Sequence, residues 1–138
     1  MERMRRLRQS KAIRDMVEET RVNKKDLIYP IFVAEGENIK TPVDSMPDVY
    51  QCSIDNLDPI LKEINDSKIS GLLIFGVPKH KDEVGSSAYD DNGITQNAIR
   101  YIKSKYPNMI VVADVCLCEY TSHGHCGVVV GDEILNVA

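Results

Sequence analysis

The stretch Met109-Ile-Val-Val-Ala-Asp114-Val-Cys116-Leu-Cys118 decides the fold class. Its β-branched and apolar residues are typical of a buried strand, and the first polar side chain after them is Asp114. Cysteines and, further on, glycines follow, so the end of the strand runs into a loop with reactive side chains. Proteins of the α/β class carry their chemistry on such loops. The stretch therefore predicts an α/β protein with a functional site after this strand.

Two earlier segments have the same apolar character and are separated by helical patterns. Residues 26–34 and 71–77 predict buried strands, with Pro30 marking a beginning or a break in the first. Helices are predicted after Ser53, which would be an N-cap, and over residues 95–106. Consecutive strands joined by helices form a parallel sheet with right-handed crossovers.

Three strands make a poor parallel sheet, because both faces need cover and both edges stay open. We therefore interpret residues 26–138 as the first three β/α units of a (β/α)8 TIM-type barrel, a fold of about 250 residues. Residues 1–25 are interpreted as an extended N-terminal arm, with a helix over residues 3–20. Ile13, Met16 and Val17 form a sparse apolar stripe on that helix, so we expect the arm to pack on another surface.

The arm is basic, whereas the remainder of the chain is acidic. Residues 1–25 hold nine Lys and Arg against four Asp and Glu, and this balance of +5 leaves −9 for the rest, since the net charge is −4. No aromatic residue interleaves the arginines, so a partner protein suits the arm better than nucleic acid. No apolar run approaches the roughly 20 residues of a membrane span, and no secretory h-region follows the basic N-terminus. The sequence favours a cytoplasmic protein with neither a nucleic acid nor a membrane as its partner.

Cys116, Cys118 and Cys126 are the candidate metal ligands. In a cytosolic chain, clustered cysteines more often bind metal or perform chemistry than form disulfides. Thiolates select zinc among the common ions, and three protein ligands leave a fourth position for water, as in catalytic sites. A structural zinc knuckle and a set of unliganded buried thiols are the alternatives.

Other polar side chains surround this cluster in sequence. His123 and His125 are candidates for proton transfer, or for a fourth ligand that would close the site. Asp114 is a candidate carboxylate at the mouth of the same site. Hydrogen bonding within the loop is the alternative for His123, and capping of the loop is the alternative for Asp114.

Several pieces of sequence together resemble a known family. In chain order they are Arg3-Met-Arg-Arg-Leu-Arg8, Leu27-Ile-Tyr-Pro-Ile-Phe-Val33, Ser45-Met-Pro47, Phe75-Gly-Val77, Lys81-Asp82 with Gly85-Ser86, and Asp114-Val-Cys-Leu-Cys-Glu-Tyr-Thr-Ser-His-Gly-His-Cys-Gly127. The last motif is long enough to make a chance match negligible. The chain is identified on these motifs as resembling the 5-aminolevulinate dehydratase family, also called porphobilinogen synthase.

The resemblance implies a TIM barrel whose N-terminal arm wraps a neighbouring subunit, usually within an octamer. It implies the condensation of two 5-aminolevulinate molecules to porphobilinogen, with loss of two waters, in tetrapyrrole (heme) biosynthesis. It also implies that Cys116, Cys118 and Cys126 hold a catalytic zinc ion and that Asp114 lies in the active site. Other family members replace these cysteines and rely on magnesium.

The chain also departs from the family pattern. The family's Schiff-base lysines lie in the second half of a longer chain, and no lysine here matches their context. The family usually continues past Cys126 with an Asn-Asp pair, whereas Asn136 is followed by Val137. We therefore expect a truncated dehydratase that is inactive alone. The alternative is a non-catalytic zinc-binding or assembly fragment that associates with a full-length homologue.

Overall fold

A computed structural model describes residues 4–135 of the chain. Arg3, where the predicted arm helix begins, and Asn136 lie outside the described residues. The described α-helices are α1 (Lys11–Met16), α2 (Asp58–Asp66) and α3 (Ile94–Lys105). The strands are β1 (Ile28–Ala34), β2 (Lys40–Pro42), β3 (Tyr50–Cys52), β4 (Gly71–Val77), β5 (Ile110–Ala113), β6 (Val128–Val130) and β7 (Glu133–Leu135). Within residues 4–135, no helix is long and apolar enough to cross a membrane.

Five of the strands form one sheet in the order β2-β3-β1-β4-β5, and β6 and β7 form a separate hairpin. Strands β1 and β4 run parallel in continuous register from Ile28 opposite Gly71 to Ala34 opposite Val77. Strand β5 is parallel to β4, and β3 is parallel to β1. Only β2 is antiparallel to its neighbour within this sheet. The predicted α/β class is confirmed, and the three predicted strands are β1, β4 and β5.

One face of the sheet is covered by α2 and α3. Side chains alternate along a strand, so Ile31 and Val33 of β1 point to the same side and are both buried. They belong to an apolar core with Leu72 and Ile74 of β4. The helices complete this core with Leu57, Leu61, Ile64, Ala98 and Ile102. Each buried Leu, Ile or Val side chain of the core contributes roughly 1.5–3 kcal/mol relative to an exposed one, so this single cluster supplies much of the stability.

The opposite face of the sheet is only half-covered. Phe32 and Phe75 are register partners on it, and their rings stack with centroids 5.2 Å apart. Pro30 precedes them in β1, where the expectation of a strand break is wrong. The strand continues through Pro30, which pairs with Leu73 of β4, while β3 joins β1 only from Phe32 onward. On the β3 side, Pro30 therefore lies where no ladder is formed, and a missing N–H costs little there.

The structure shortens the predicted arm helix. A single 3-10 turn (Arg6–Arg8) precedes α1, and Ser10 caps α1 by accepting a hydrogen bond from the backbone N–H of Ile13. No residue of either element is buried, and helices shorter than about 12 residues are marginal without packing. The sparse apolar stripe therefore sustains only six helical residues.

Strand β5 ends the sheet with an open edge. Within residues 4–135 it pairs only with β4, and Ile110 on it is 58% exposed. Unpaired strand edges with apolar side chains template pairing with other chains. We expect the 138-residue chain to self-associate with increasing concentration in sedimentation velocity measurements. Ile110→Lys is expected to shift the distribution towards monomer.

Tyr89→Lys is the matched control, because Tyr89 is also an exposed large side chain (70%) but belongs to the connection between β4 and α3 and not to a strand. A single monomeric species at every concentration, with a cooperative melt, would contradict the expectation.

Candidate metal centre

The candidate site lies on the loop that follows β5, which we name the cysteine loop (residues 114–127). The backbone N–H of Asp114 still donates to Ile74 of β4 at 3.2 Å, so the loop leaves directly from the sheet. Cys116 and Cys118 do not lie on an extended strand, because β5 ends at Ala113. A turn begins at Leu117, whose carbonyl accepts hydrogen bonds from the N–H groups of both Tyr120 and Thr121 at 2.9 Å. The cysteines therefore approach each other around a turn rather than along a strand.

The turn nevertheless brings three sulfur atoms together. The Sγ atom of Cys116 lies 2.8 Å from that of Cys118 and 2.7 Å from that of Cys126. All three sulfurs lie within 4.8 Å of one another, and they form the one group of possible metal ligands among the described residues. Sulfurs bound at about 2.3 Å to one tetrahedral zinc lie about 3.8 Å apart. A metal would fit this donor set once the sulfurs separate by about 1 Å.

The three thiols do not lose their protons with equal ease. The Cys116 thiol and two backbone N–H groups, of Cys118 and Leu117, donate to the sulfur of Cys126 and lower the pKa of Cys126. Hydrogen bonds to Cys118 and Cys126 favour the protonated form of Cys116 and raise the pKa of Cys116 to about 12. The cluster thus favours one thiolate but opposes full deprotonation. A divalent cation would remove that opposition, because coordinated thiols are deprotonated.

Two carboxylates flank the cluster. Asp114 lines a groove of about 260 Å³, which it shares with Cys116 and with residues of α3. Glu119 is half-buried, and its burial, together with the charge of Asp114, raises the pKa of the Glu119 carboxyl, while Lys81 opposes the rise. The site therefore holds a carboxylate and a second carboxyl that retains its proton more readily than an exposed one. Glu119 belongs to the quoted motif, but the sequence does not single it out as a site residue. Its burial and its proximity to Asp114 in the folded chain do.

The two histidines differ in their contacts. The Nδ1 atom of His123 accepts a hydrogen bond from the backbone N–H of His125 at 3.1 Å. Its Nε2 atom therefore carries the proton and donates to the carbonyl of Glu83 at 3.1 Å. Both ring nitrogens of His123 are engaged, which suits a hydrogen-bonded loop residue rather than a metal ligand. The ring of His125 stacks on it with centroids 5.6 Å apart and is exposed.

A buried hydrogen bond anchors the cysteine loop to the core. The hydroxyl groups of Tyr120 and Thr95 share a hydrogen bond of 2.8 Å, and both residues are buried. Gly76 of β4 makes room for them, because a Cβ atom there would lie 2.4 Å from each hydroxyl oxygen. This contact links β4, α3 and the loop. No local pattern singles out Thr95, because its hydrogen-bond partner lies 25 residues away.

Comparison with known proteins identifies relatives over the full chain. The family model for delta-aminolevulinic acid dehydratase matches residues 1–138. The delta-aminolevulinic acid dehydratase of Halalkalibacterium halodurans is 55% identical over 134 residues, which cover 97% of this chain and 41% of that protein. The Bacillus subtilis protein of the same name is 54% identical, with the same coverage of both chains. This chain thus spans about two fifths of the length of these relatives.

A solved structure is also similar. It is the crystal structure of delta-aminolevulinic acid dehydratase (porphobilinogen synthase) from Toxoplasma gondii in complex with the reaction product porphobilinogen. The TM-score is 0.87 at 32% identity, and the match covers 99% of this chain and 40% of that one. The described α/β arrangement therefore corresponds to part of a larger known structure.

Removing the anchoring hydroxyl of Tyr120 is expected to destabilise the fold. Tyr120→Phe keeps the ring but leaves the buried Thr95 hydroxyl without its partner, which costs about 1–3 kcal/mol. Urea unfolding of the metal-free chain measures the difference. Tyr89→Phe is the control, because this 70% exposed ring should change the free energy of unfolding by less than about 0.5 kcal/mol. Equal effects of the two substitutions would exclude the anchoring role.

Proposed function

Because the chain belongs to the delta-aminolevulinic acid dehydratase family, we propose that it forms the metal-binding N-terminal part of a porphobilinogen synthase. This lyase would condense two 5-aminolevulinate molecules to porphobilinogen in heme biosynthesis. One observation carries the proposal: three sulfurs converge after β5, beside Asp114. The remaining β/α units of a TIM barrel, including the lysines that bind substrate covalently, would come from sequence beyond this part.

Zinc is the metal that best fits the cluster. Cys116, Cys118 and Cys126 would hold it, since three thiolates select zinc over the oxygen-preferring ions. When bound with an open fourth position, zinc supplies Lewis acidity to a carbonyl or hydroxyl oxygen. The contacts of His123 support a fourth coordination position that no protein ligand fills, because both ring nitrogens of His123 already have hydrogen-bond partners. Magnesium has no comparable oxygen cage within this cluster and would belong to other parts of the enzyme.

Asp114 and Glu119 would handle protons beside the metal. Asp114 is fixed at the end of the sheet by its backbone hydrogen bond and lines the groove, so its carboxylate can accept a proton or orient an amine. The raised pKa of Glu119 makes it a group that can hold a proton close to Asp114. The exposed ring of His125 is a further candidate for proton transfer at this site.

The arm would serve assembly rather than catalysis. From Met4 to Lys25 only Ile13 is even half-buried, so this segment has little to pack against within its own chain. Its basic charge suits an acidic partner surface, and a second copy of this acidic chain offers one. We propose a homo-oligomer held by the arm, in the cytoplasm. The open sheet edge and the exposed arm also favour one alternative, a non-catalytic fragment that associates with a full-length homologue.

Zinc binding is expected at one ion per chain. Cys118→Ala should lower the affinity by more than the roughly 10- to 100-fold that loss of an outer-shell partner causes, because a ligand itself is removed. Competition with a chromophoric chelator measures the affinity, and the thiolate charge-transfer band of a cobalt-substituted sample reports the ligand type. Cys52→Ala is the matched control, since Cys52 is buried in β3 outside the cluster. Metal-free protein after careful reconstitution would overturn the proposal.

The 138-residue polypeptide by itself is expected to form no porphobilinogen. Covalent catalysis needs lysines in the family's Schiff-base context, and this sequence contains none. A colorimetric pyrrole assay with 5-aminolevulinate and zinc tests this, with the Bacillus subtilis enzyme as the positive control. Production of porphobilinogen above the protein-free background would show that the expectation is wrong.

A further inference from the structure

We propose that Asp82 is a positioning residue for the metal centre and that it acts through the cysteine loop. This inference rests on the proposed zinc site. Asp82 lies on the long polar connection between β4 and α3, and it shapes a tight turn that we name the Asp82 turn (residues 82–86). None of the three metal ligands belongs to this turn.

The carboxylate of Asp82 organises the turn through three hydrogen bonds. It accepts from the hydroxyl of Ser86 and from the backbone N–H groups of Ser86 and Val84, at 2.9 and 3.1 Å for the two N–H groups. The Ser86 hydroxyl contributes most to lowering the pKa of Asp82, followed by backbone N–H donors. Asp82 is therefore a carboxylate at neutral pH, and the three hydrogen bonds that its side chain accepts come from residues of this turn.

The backbone of the turn is joined to the cysteine loop by a parallel bridge. The N–H of Asp82 donates to the carbonyl of Tyr120 at 3.3 Å, and the N–H of Ser122 donates to the carbonyl of Asp82 at 2.8 Å. The bridged segment lies between Cys118 and Cys126. The backbone of the loop is therefore held at its middle by the same residue whose side chain holds the turn.

Two further contacts depend on the shape of the turn. The carbonyl of Glu83 faces the loop and accepts the hydrogen bond from Nε2 of His123. Gly85 adopts a left-handed conformation (φ 62°), and a Cβ atom there would lie 3.2 Å from a methyl carbon of Leu117 and 3.4 Å from that of Thr121. Both contacts require the backbone path that the carboxylate of Asp82 imposes.

Holding the loop matters because the ligands are separated in sequence. Cys126 must return over eight residues to meet Cys116 and Cys118, and an unrestrained loop would lose conformational entropy on each binding event. Contacts that fix the loop beforehand reduce that cost, and outer-shell partners of metal ligands typically alter affinity about 10- to 100-fold. Asp82 is thus expected to contribute to zinc affinity without contacting the metal.

The test compares Asp82→Ala with Asp90→Ala in the full chain. Asp90 lies on the same connection and holds its own turn, with its carboxylate accepting from the N–H of Asn92 at 2.8 Å. No hydrogen bond joins Asp90 to the cysteine loop among residues 4–135. Each variant loses one turn-forming carboxylate, so a merely structural effect lowers the free energy of unfolding in both. Only Asp82→Ala is expected to lower zinc affinity, by about 10- to 100-fold, and to weaken the cobalt-thiolate band.

Amide hydrogen exchange of the metal-free chain gives a second readout. The Ser122 amide should exchange faster in Asp82→Ala than in the original chain, and at the original rate in Asp90→Ala. If Asp82→Ala does not fold, Ser86→Ala removes one of the three hydrogen bonds and should shift both readouts in the same direction. Equal zinc affinity, or equal Ser122 exchange, in Asp82→Ala and Asp90→Ala would overturn this inference alone. Failure of the original chain to bind zinc would overturn the proposed zinc site and this inference with it.

Discussion

The unbroken parallel register between β1 and β4 is the constraint on which the rest of the molecule depends. Seven residue pairs fix these strands side by side in the same direction. The chain must then cross over between them, and α2 is the element that makes this crossing. The same rule places α3 between β4 and β5. All three carboxyl ends consequently meet at one edge of the sheet, where the cysteine loop begins.

Sequence patterns predicted the elements that consist of a continuous apolar run or show a clear helical period. β4 was predicted with its observed bounds, and α3 lies within one residue of the predicted span. The short strands β2 and β3 were missed, because each has only three residues, too few to show a hydrophobic period, and those of β2 are all exposed. The arm helix was predicted too long, since periodicity does not show whether a partner surface is present in the chain.

The candidate site was predictable in its ligand types but not in its geometry. Spacing identified the three cysteines as one group, but it did not show that a turn at Leu117 brings the sulfurs together. The distinction between His123 and His125 depends on hydrogen-bond partners, one of which lies 40 residues away. Spacing within the motif carries no information on such distant contacts. The candidate ligands therefore lie in one short segment, while the contacts that hold this segment come from the connection between β4 and α3 and from α3 itself.

Gly76 gives this arrangement a consequence for molecular evolution. The space above its α-carbon is filled by the hydroxyl oxygens of Thr95 and Tyr120, so the three positions share one small volume. A methyl group at position 76 becomes acceptable only when smaller residues replace both the tyrosine and the threonine. Homologous chains should consequently change these sites in concert, and a lineage that keeps the tyrosine should retain glycine in the strand beneath it.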